Sequence, residues 1–349
     1  MKWIMNEKIR MLLLGLVLPA AILSGVLFLP ARAPSQETLP SQNSASGSTH
    51  TQTQTQGTVS ATDPTFPTTS QPSTEPMPPM EHMILVRTGE QTVQMPLESY
   101  VLGVVLAEVP ASFDPETLKA QAVAARTYGL QVCESGRHNG AICTNYGCCQ
   151  AYRSEEAYML QGGNPDDLEK IRAAVMDTQY QVLTYEGALI CATYFSCSGG
   201  STEDAVAVWG SDVAYLQAVE SPGEEFASVY SGHYVFTEEE FEAALCFDLS
   251  GSPSEWFGQV CYTRGGGVDT IYIDGIDYRG TTLRALLGLR STAFTITVRD
   301  EMIHIVTRGY GHRVGMSQYG AEAMALNGAD YQQILLHYYQ GTTLRVYGE

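Results

Sequence analysis

Positive charge is scarce in this chain. Only 16% of its 349 residues are charged, and 19 Lys and Arg stand against 38 Asp and Glu, a formal net charge of -19. That balance leaves no basic stripe for phosphates and argues against a nucleic-acid partner, although not against a neutral polymer such as a glycan. A G-x-S-x-G elbow is also missing, which speaks against a serine hydrolase. No internal repeat is visible. What is present is an ordinary 44% of hydrophobic residues. That is enough to exclude a wholly disordered chain and to expect one large domain or two smaller ones.

The first residues bear on compartment. Lys2, Lys8 and Arg10 precede an apolar run over 11–29 that holds no charge and is about long enough to cross a bilayer. Positive charge before the run predicts a cytoplasmic N-terminus and an extracytoplasmic remainder, that is, a single-pass protein of the cell membrane. Its length favours an uncleaved anchor over 1–32, while Ala31-Arg32-Ala33 also reads as a signal-peptide cleavage site. From 33 to 80 the chain is Ser, Thr, Gln and Pro, which cannot bury enough apolar surface to offset ordering entropy. It reads as a disordered linker, leaving 81–349 as the folded domain.

Within that domain, Met83-Ile84-Leu85-Val86-Arg87 predicts a first strand. A helix opens at Pro96-Leu97-Glu98 and stops at Pro110. The next starts with Asp114 as N-cap and Pro115 at its first position, running to about Val132. Asn164-Pro165-Asp166 enters another. Hairpins are expected from 181–185 with 189–195 across Glu186-Gly187, and from 294–298 with 302–306. Short helices are expected over 238–245, 282–287, 317–326 and 331–339. Helices and hairpins without regular βαβ alternation make the expected class α+β, arranged around a cleft.

One acid stands out. Leu97, Val101, Val104, Val105 and Glu108 share a helical face, and the first four are apolar. A carboxyl on such a stripe loses hydration, keeps its proton to higher pH and suits general-acid work. The plainer alternative is a Glu at a frayed last turn, bent into solvent or paired with Lys119 or Arg126.

His138, Cys143, Cys148 and Cys149 gather four ligands in one short loop, which suits a closed, structural Zn²⁺ site. Disulfides are the competing reading, since eight cysteines outside the cytoplasm commonly pair. Adjacent Cys148 and Cys149 fit two local disulfides poorly, and His138 would then be idle. Cys133 is a spare ligand, Cys246 and Cys261 a candidate disulfide, and Cys191 and Cys197 candidate buried thiols. Ser196-Cys197-Ser198-Gly199-Gly200 and the segment around Gly309-Tyr310-Gly311-His312 are Gly-rich loops. On residues alone they read as turns as readily as binding loops.

Longer motifs carry a resemblance. Pro96 through Pro110 and Leu118 through Tyr128 resemble the stage II sporulation protein D family, whose relatives include amidase enhancers. The likeness continues at Tyr194-Phe195-Ser196-Cys197-Ser198-Gly199-Gly200, Val208-Trp209-Gly210, Tyr215-Leu216, Leu289 to Phe294, and Gly311 to Ala321. It implies a lytic transglycosylase of peptidoglycan glycan strands stripped of stem peptides, with Glu108 at the catalytic position. It also implies a role for Arg126 in orienting Glu108 or binding glycan. Tyr194, Ser196, Ser198, His312, Gln318 and Tyr319 become glycan-binding candidates, offering planar polar groups and aromatic faces. Some members hold zinc at the loop matching His138, with His where this chain has Cys148. Arg313 stands where many relatives have Gly, so a change of groove width or polarity is expected. The implied setting is sporulation engulfment, with a cell-wall amidase (stage II sporulation protein P) and a membrane protein (stage II sporulation protein M) as partners. A non-catalytic glycan-binding enhancer of an amidase is the alternative, and a zinc amidase a distant third.

Overall fold

The computed structural model describes residues 81–349; the expected anchor over 1–32 and linker over 33–80 lie outside the described residues. Strands β1 (Met83–Thr88) and β2 (Gln91–Pro96) form the expected first hairpin, turning at Gly89. Helix α1 (Leu97–Glu108) follows directly. Eight of its twelve residues are buried, from Leu97 to Leu106, so it has no solvent face. The single apolar stripe read from the sequence is therefore corrected: α1 is apolar nearly all round and runs through the core. Glu108 sits at its end, where Val109 turns extended before Pro110.

Helix α2 (Pro115–Glu134) begins as anticipated, with the Asp114 carboxylate accepting from the Glu116 N–H at 2.9 Å and Pro115 in the first turn. Its alanines let α1 and its other neighbours approach closely, and every residue from 120 to 130 is buried. Short β3 (Ile142–Cys143) returns to pair in parallel with β1. Two helices follow, α3 (Glu155–Leu160) and α4 (Pro165–Asp177), capped by Ser154 and Asn164.

The hairpin of β4 (Gln181–Tyr185) with β5 (Ala188–Leu189) turns at Glu186 and Gly187, both at positive φ. The long second strand expected there is not formed. The Ala192 and Thr193 N–H groups donate back to the Ile190 and Cys191 carbonyls at 3.0 and 2.8 Å, tight turns that break the ladder. Instead β6 (Tyr194–Phe195) leaves the hairpin and later pairs in parallel with a distant segment.

Strand β7 (Gly200–Ser201), helix α5 (Ala205–Trp209) and β8 (Glu220–Ser221) complete the first half. A second apolar core is then built by β9 (Ser231–Phe236), α6 (Glu238–Leu245), α7 (Pro253–Trp256), β10 (Phe257–Tyr262), β11 (Val268–Ile273), β12 (Ile276–Arg279), α8 (Gly280–Leu286), β13 (Phe294–Arg299) and β14 (Met302–Arg308). Phe241, Trp256, Ile273, Leu283 and Ile305 form its centre. The chain then returns to the first core through β15 (Met316–Ser317), α9 (Gln318–Leu326), α10 (Tyr331–Tyr338) and β16 (Thr343–Val346), which pairs with β4. Helices and several small sheets give the α+β class read from the sequence. Among the described residues no helix is long and apolar enough to cross a membrane.

Candidate functional site

Glu108 is half-buried, and its carboxyl is held from three directions. The Ala151 N–H donates to Oε1 at 2.7 Å, and the side chains of Tyr194 and Gln318 also hydrogen-bond to it. Burial nevertheless outweighs these donors and raises its pKa above the ordinary glutamate value. Each donor has its own support. The Tyr194 hydroxyl accepts from Gln150 Nε2 at 2.9 Å, and Gln150 Oε1 accepts from Tyr100 at 2.6 Å. Gln318 donates to Gln121 at 3.4 Å from the first turn of α9, which Ser317 caps.

Local packing explains how Ala151 reaches the acid. The strap 150–153 lies along α1: the Arg153 N–H donates to the Gly103 carbonyl at 2.9 Å, and the Tyr152 ring covers Gly103. A Cβ at position 103 would collide with that ring, so glycine is required by close approach. Neither Gln150 nor Ala151 was singled out in the sequence. A backbone N–H has no sequence signature, and Gln150 is recognisable only once its partners are in place.

A cleft of about 460 Å³ lies beside the acid, lined by Tyr194, Gln150, Thr193, Trp209 and His312 and by the loop carrying Cys148 and Cys149. Glu108 does not line the cleft itself; Tyr194, which hydrogen-bonds to its carboxyl, does. The His312 ring packs against Phe195 and Trp209, and its Nδ1 accepts from the Val314 N–H at 3.1 Å. Burial, with help from the Arg284 charge, pulls its pKa down to about 4, so it is a neutral imidazole near pH 7. Tyr319 packs edge-on to Phe113 and Phe226, and its N–H donates to the Ser196 carbonyl. Ser196 itself is half-buried at that junction.

Two sequence-predicted binding residues have other roles. Arg126 is fully buried and does not touch Glu108; it forms a bidentate pair with Glu98 and donates to the Gln181 and Val175 carbonyls. Its planar fork joins α1, α4 and β4, so the expectation that it contacts glycan is corrected. Ser198 is likewise fully buried, its hydroxyl donating to Glu224 at 2.8 Å. Lys119, the other suggested partner of Glu108, instead pairs with Glu116 and Asp177. Arg313 is buried too and cannot reshape a groove surface: it pairs with Glu203 at 2.9 Å and donates to the Ser198, Ser201 and Gly265 carbonyls.

Sequence reasoning missed Glu224. This fully buried carboxylate accepts from the Ser198 and Gly199 N–H groups and from the Ser198, Ser221 and Ser317 hydroxyls, at 2.7–2.9 Å, and from the Cys197 thiol. A Ser/Gly loop rich in donors demands an acceptor, but nothing in the sequence says which acid supplies it.

The loop after α2 brings the Nε2 of His138 to 3.3 Å from Cys148 Sγ and 3.5 Å from Cys149 Sγ, with the two sulfurs 3.9 Å apart. With Cys143, all four ligand atoms lie within 4.8 Å of one another. Tetrahedral zinc with Zn–S near 2.3 Å and Zn–N near 2.0 Å places sulfurs about 3.8 Å apart and sulfur about 3.5 Å from nitrogen. The donor set fits that ion in type and spacing. His138 and Asn139 adopt left-handed backbone to make the tight turn. Cys133 lies apart, its thiol directed at the Leu85 carbonyl. All eight cysteines are free, so the expected Cys246–Cys261 disulfide is not formed; both residues are exposed. Cys191 and Cys197 are the buried thiols anticipated.

Known proteins are similar to this chain in sequence. A family model described as stage II sporulation protein (SpoIID) matches residues 87–185. Stage II sporulation protein D of Bacillus subtilis (strain 168) is 40% identical over 266 residues, covering 74% of this chain and 77% of that protein. The protein of the same name in Bacillus amyloliquefaciens gives the same identity and coverage. An amidase enhancer of Bacillus subtilis is 31% identical over 306 residues, covering 70% of this chain and 40% of the enhancer. With a relative this similar over most of both chains, the chain belongs to the stage II sporulation protein D family.

Proposed function

We propose that this sporulation protein is a peptidoglycan lytic transglycosylase acting on glycan strands stripped of stem peptides, with Glu108 as its single acid and base. The observation that carries this reading is the half-buried carboxyl at the end of α1, raised in pKa by burial and aimed by Ala151, Tyr194 and Gln318. In its acid form Glu108 gives its proton to the glycosidic oxygen between N-acetylmuramic acid and N-acetylglucosamine. The bond from muramic C1 to that oxygen breaks, and an oxocarbenium-like centre forms. The carboxylate then takes the proton of the muramic C6 hydroxyl as its oxygen bonds to C1, closing a 1,6-anhydro ring and restoring the acid. No water is consumed, so the second carboxylate that glycoside hydrolases use is unnecessary. Tyr194 and Gln318 hydrogen-bond to the carboxyl in its charged state, which suits a group that must alternate between acid and base.

The reading extends to the metal loop. His138, Cys143, Cys148 and Cys149 would hold one structural zinc, which when bound would fix the turn that leads into Gln150 and Ala151. An N-terminal membrane anchor would place the domain against the wall, where a sporulation amidase and a membrane protein would be its partners. One observation favours a second reading: Glu108 does not line the cleft. With the amidase-enhancer relative, this supports a non-catalytic glycan binder that stimulates an amidase.

Mass spectrometry of denuded glycan incubated with the full-length chain separates the two. The enzyme reading expects 1,6-anhydromuramyl ends, reduced about a hundredfold or more by Glu108→Gln with glycan binding retained. Binding without anhydro product from the wild type would give the case to the enhancer reading.

A further inference from the structure

The cleft beside Glu108 carries two guanidinium groups. Arg137 and Arg284 both line it, in a chain with only 19 basic residues and a net charge of -19. Arg137 is engaged: its Nη2 donates to the Cys148 carbonyl at 2.9 Å and lies 3.4 Å from the Cys148 sulfur. Arg284 is not. It projects from α8, where its neighbours Leu283 and Leu287 anchor the helix in the second core. Its Nε donates to the Leu289 carbonyl at 3.3 Å, which fixes the side chain and leaves both terminal nitrogens available. Among the described residues the ion-paired cations are Lys119, Arg126, Arg172, Arg264, Arg279 and Arg313, so Arg284 has no carboxylate partner. It is nevertheless half-buried, and burial pulls its pKa below the ordinary arginine value. A cation that loses hydration without a counter-ion is costly unless a ligand supplies the anion.

We propose that Arg284 is the anchor of a carboxylate subsite in this cleft, which takes the lactyl carboxylate of N-acetylmuramic acid. The inference rests on the glycan-cleaving reading and gives it a physical basis for substrate choice. On an intact strand the lactyl group is tied to the stem peptide as a neutral amide. Removing the peptide exposes a carboxylate on every second sugar, and a guanidinium fork pairs with that group through two parallel hydrogen bonds. Trp209 and the neutral His312, packed against each other, line the same cleft. Arg284 would thus distinguish stripped strands from intact ones by charge. N-acetylglucosamine, which lacks the lactyl group, would gain nothing from it.

Affinity of the full-length chain is measured for muramyl oligosaccharides bearing the free carboxylate, for the same sugars as carboxamides, and for chito-oligosaccharides. The wild type is expected to bind the acid about tenfold or more tightly than the amide. Arg284→Gln should bring acid and amide to parity and leave chito-oligosaccharide binding unchanged. Equal wild-type affinity for acid and amide would overturn the subsite. If Arg284→Gln does not fold, that wild-type comparison decides alone. Product analysis runs in parallel. Anhydro products formed equally well from acid and amide would remove the subsite and leave the transglycosylase. A preference for the acid that depends on Arg284, without anhydro product, would keep the subsite and remove the transglycosylase.

Discussion

The proton on Glu108 and the missing proton on His312 are set by one physical cause with opposite results. Burial disfavours charge, so it raises the carboxyl and lowers the imidazole. For Glu108 the acid form is the one that can protonate a leaving oxygen. Cleavage should therefore fall about tenfold per pH unit once the pH exceeds its raised pKa, a limb absent from any residual activity of Glu108→Gln. Stability follows the same sign. A carboxyl raised in the native state contributes fully below the unfolded glutamate pKa, and that contribution is lost as pH rises through the folded value. Glu108→Gln should thus gain on the wild type in urea midpoint as pH rises from the unfolded glutamate value through the raised folded one, and a constant difference would refute the assignment. His312, depressed to about 4, runs the other way. Its contribution stands above about 6.5 and is lost as pH falls toward 4, so His312→Gln should flatten that acid decline in the same titration.

At the level of elements, the strap after the His138–Cys149 loop connects the proposed zinc site to the proposed acid. His138, Cys143, Cys148 and Cys149 close the loop, and the next two residues, Gln150 and Ala151, reach Tyr194 and Glu108. Cys143→Ser is expected to lose the metal, measured as zinc per chain, and to lower cleavage about tenfold or more. Gly103→Ala should damage the same strap without touching a ligand, leaving zinc content unchanged while cleavage falls. Local signals made part of this legible: Asp114 with Pro115 marks where α2 starts, and the four-ligand loop is recognisable from its residue types. The parallel pairing of β6 with β15 was not, because it joins segments far apart in sequence by only two residues each. Nor was the burial of Arg126 and Ser198, since a binding arginine and a structural one are the same letter until Glu98 is placed beside it.

Across the whole molecule, two apolar cores are stitched by buried charge. Arg313, at φ +67, reaches Glu203, the Ser198–Ser201 turn and Gly265, and Glu203 in turn accepts from the Gly267 N–H and the Thr263 hydroxyl. Removing one member of such a pair strands the other. Arg313→Ala should cost about 3–5 kcal/mol, read as a lowered urea midpoint, with a smaller loss for a variant that removes both charges. The sequence marked position 313 only as a departure from relatives, because which groups face a buried arginine is decided by the tertiary fold.

Glu224 draws together Ser198, Ser221 and Ser317, and Ser317 starts the helix that presents Gln318 to the acid. The proposed acid is thus written early in the chain and receives its third donor late. A polypeptide still emerging from the ribosome, or one clipped before α9, carries Glu108, Ala151 and Tyr194 but lacks Gln318. On the proposed reading, the acid has its full set of donors only once α9 is in place.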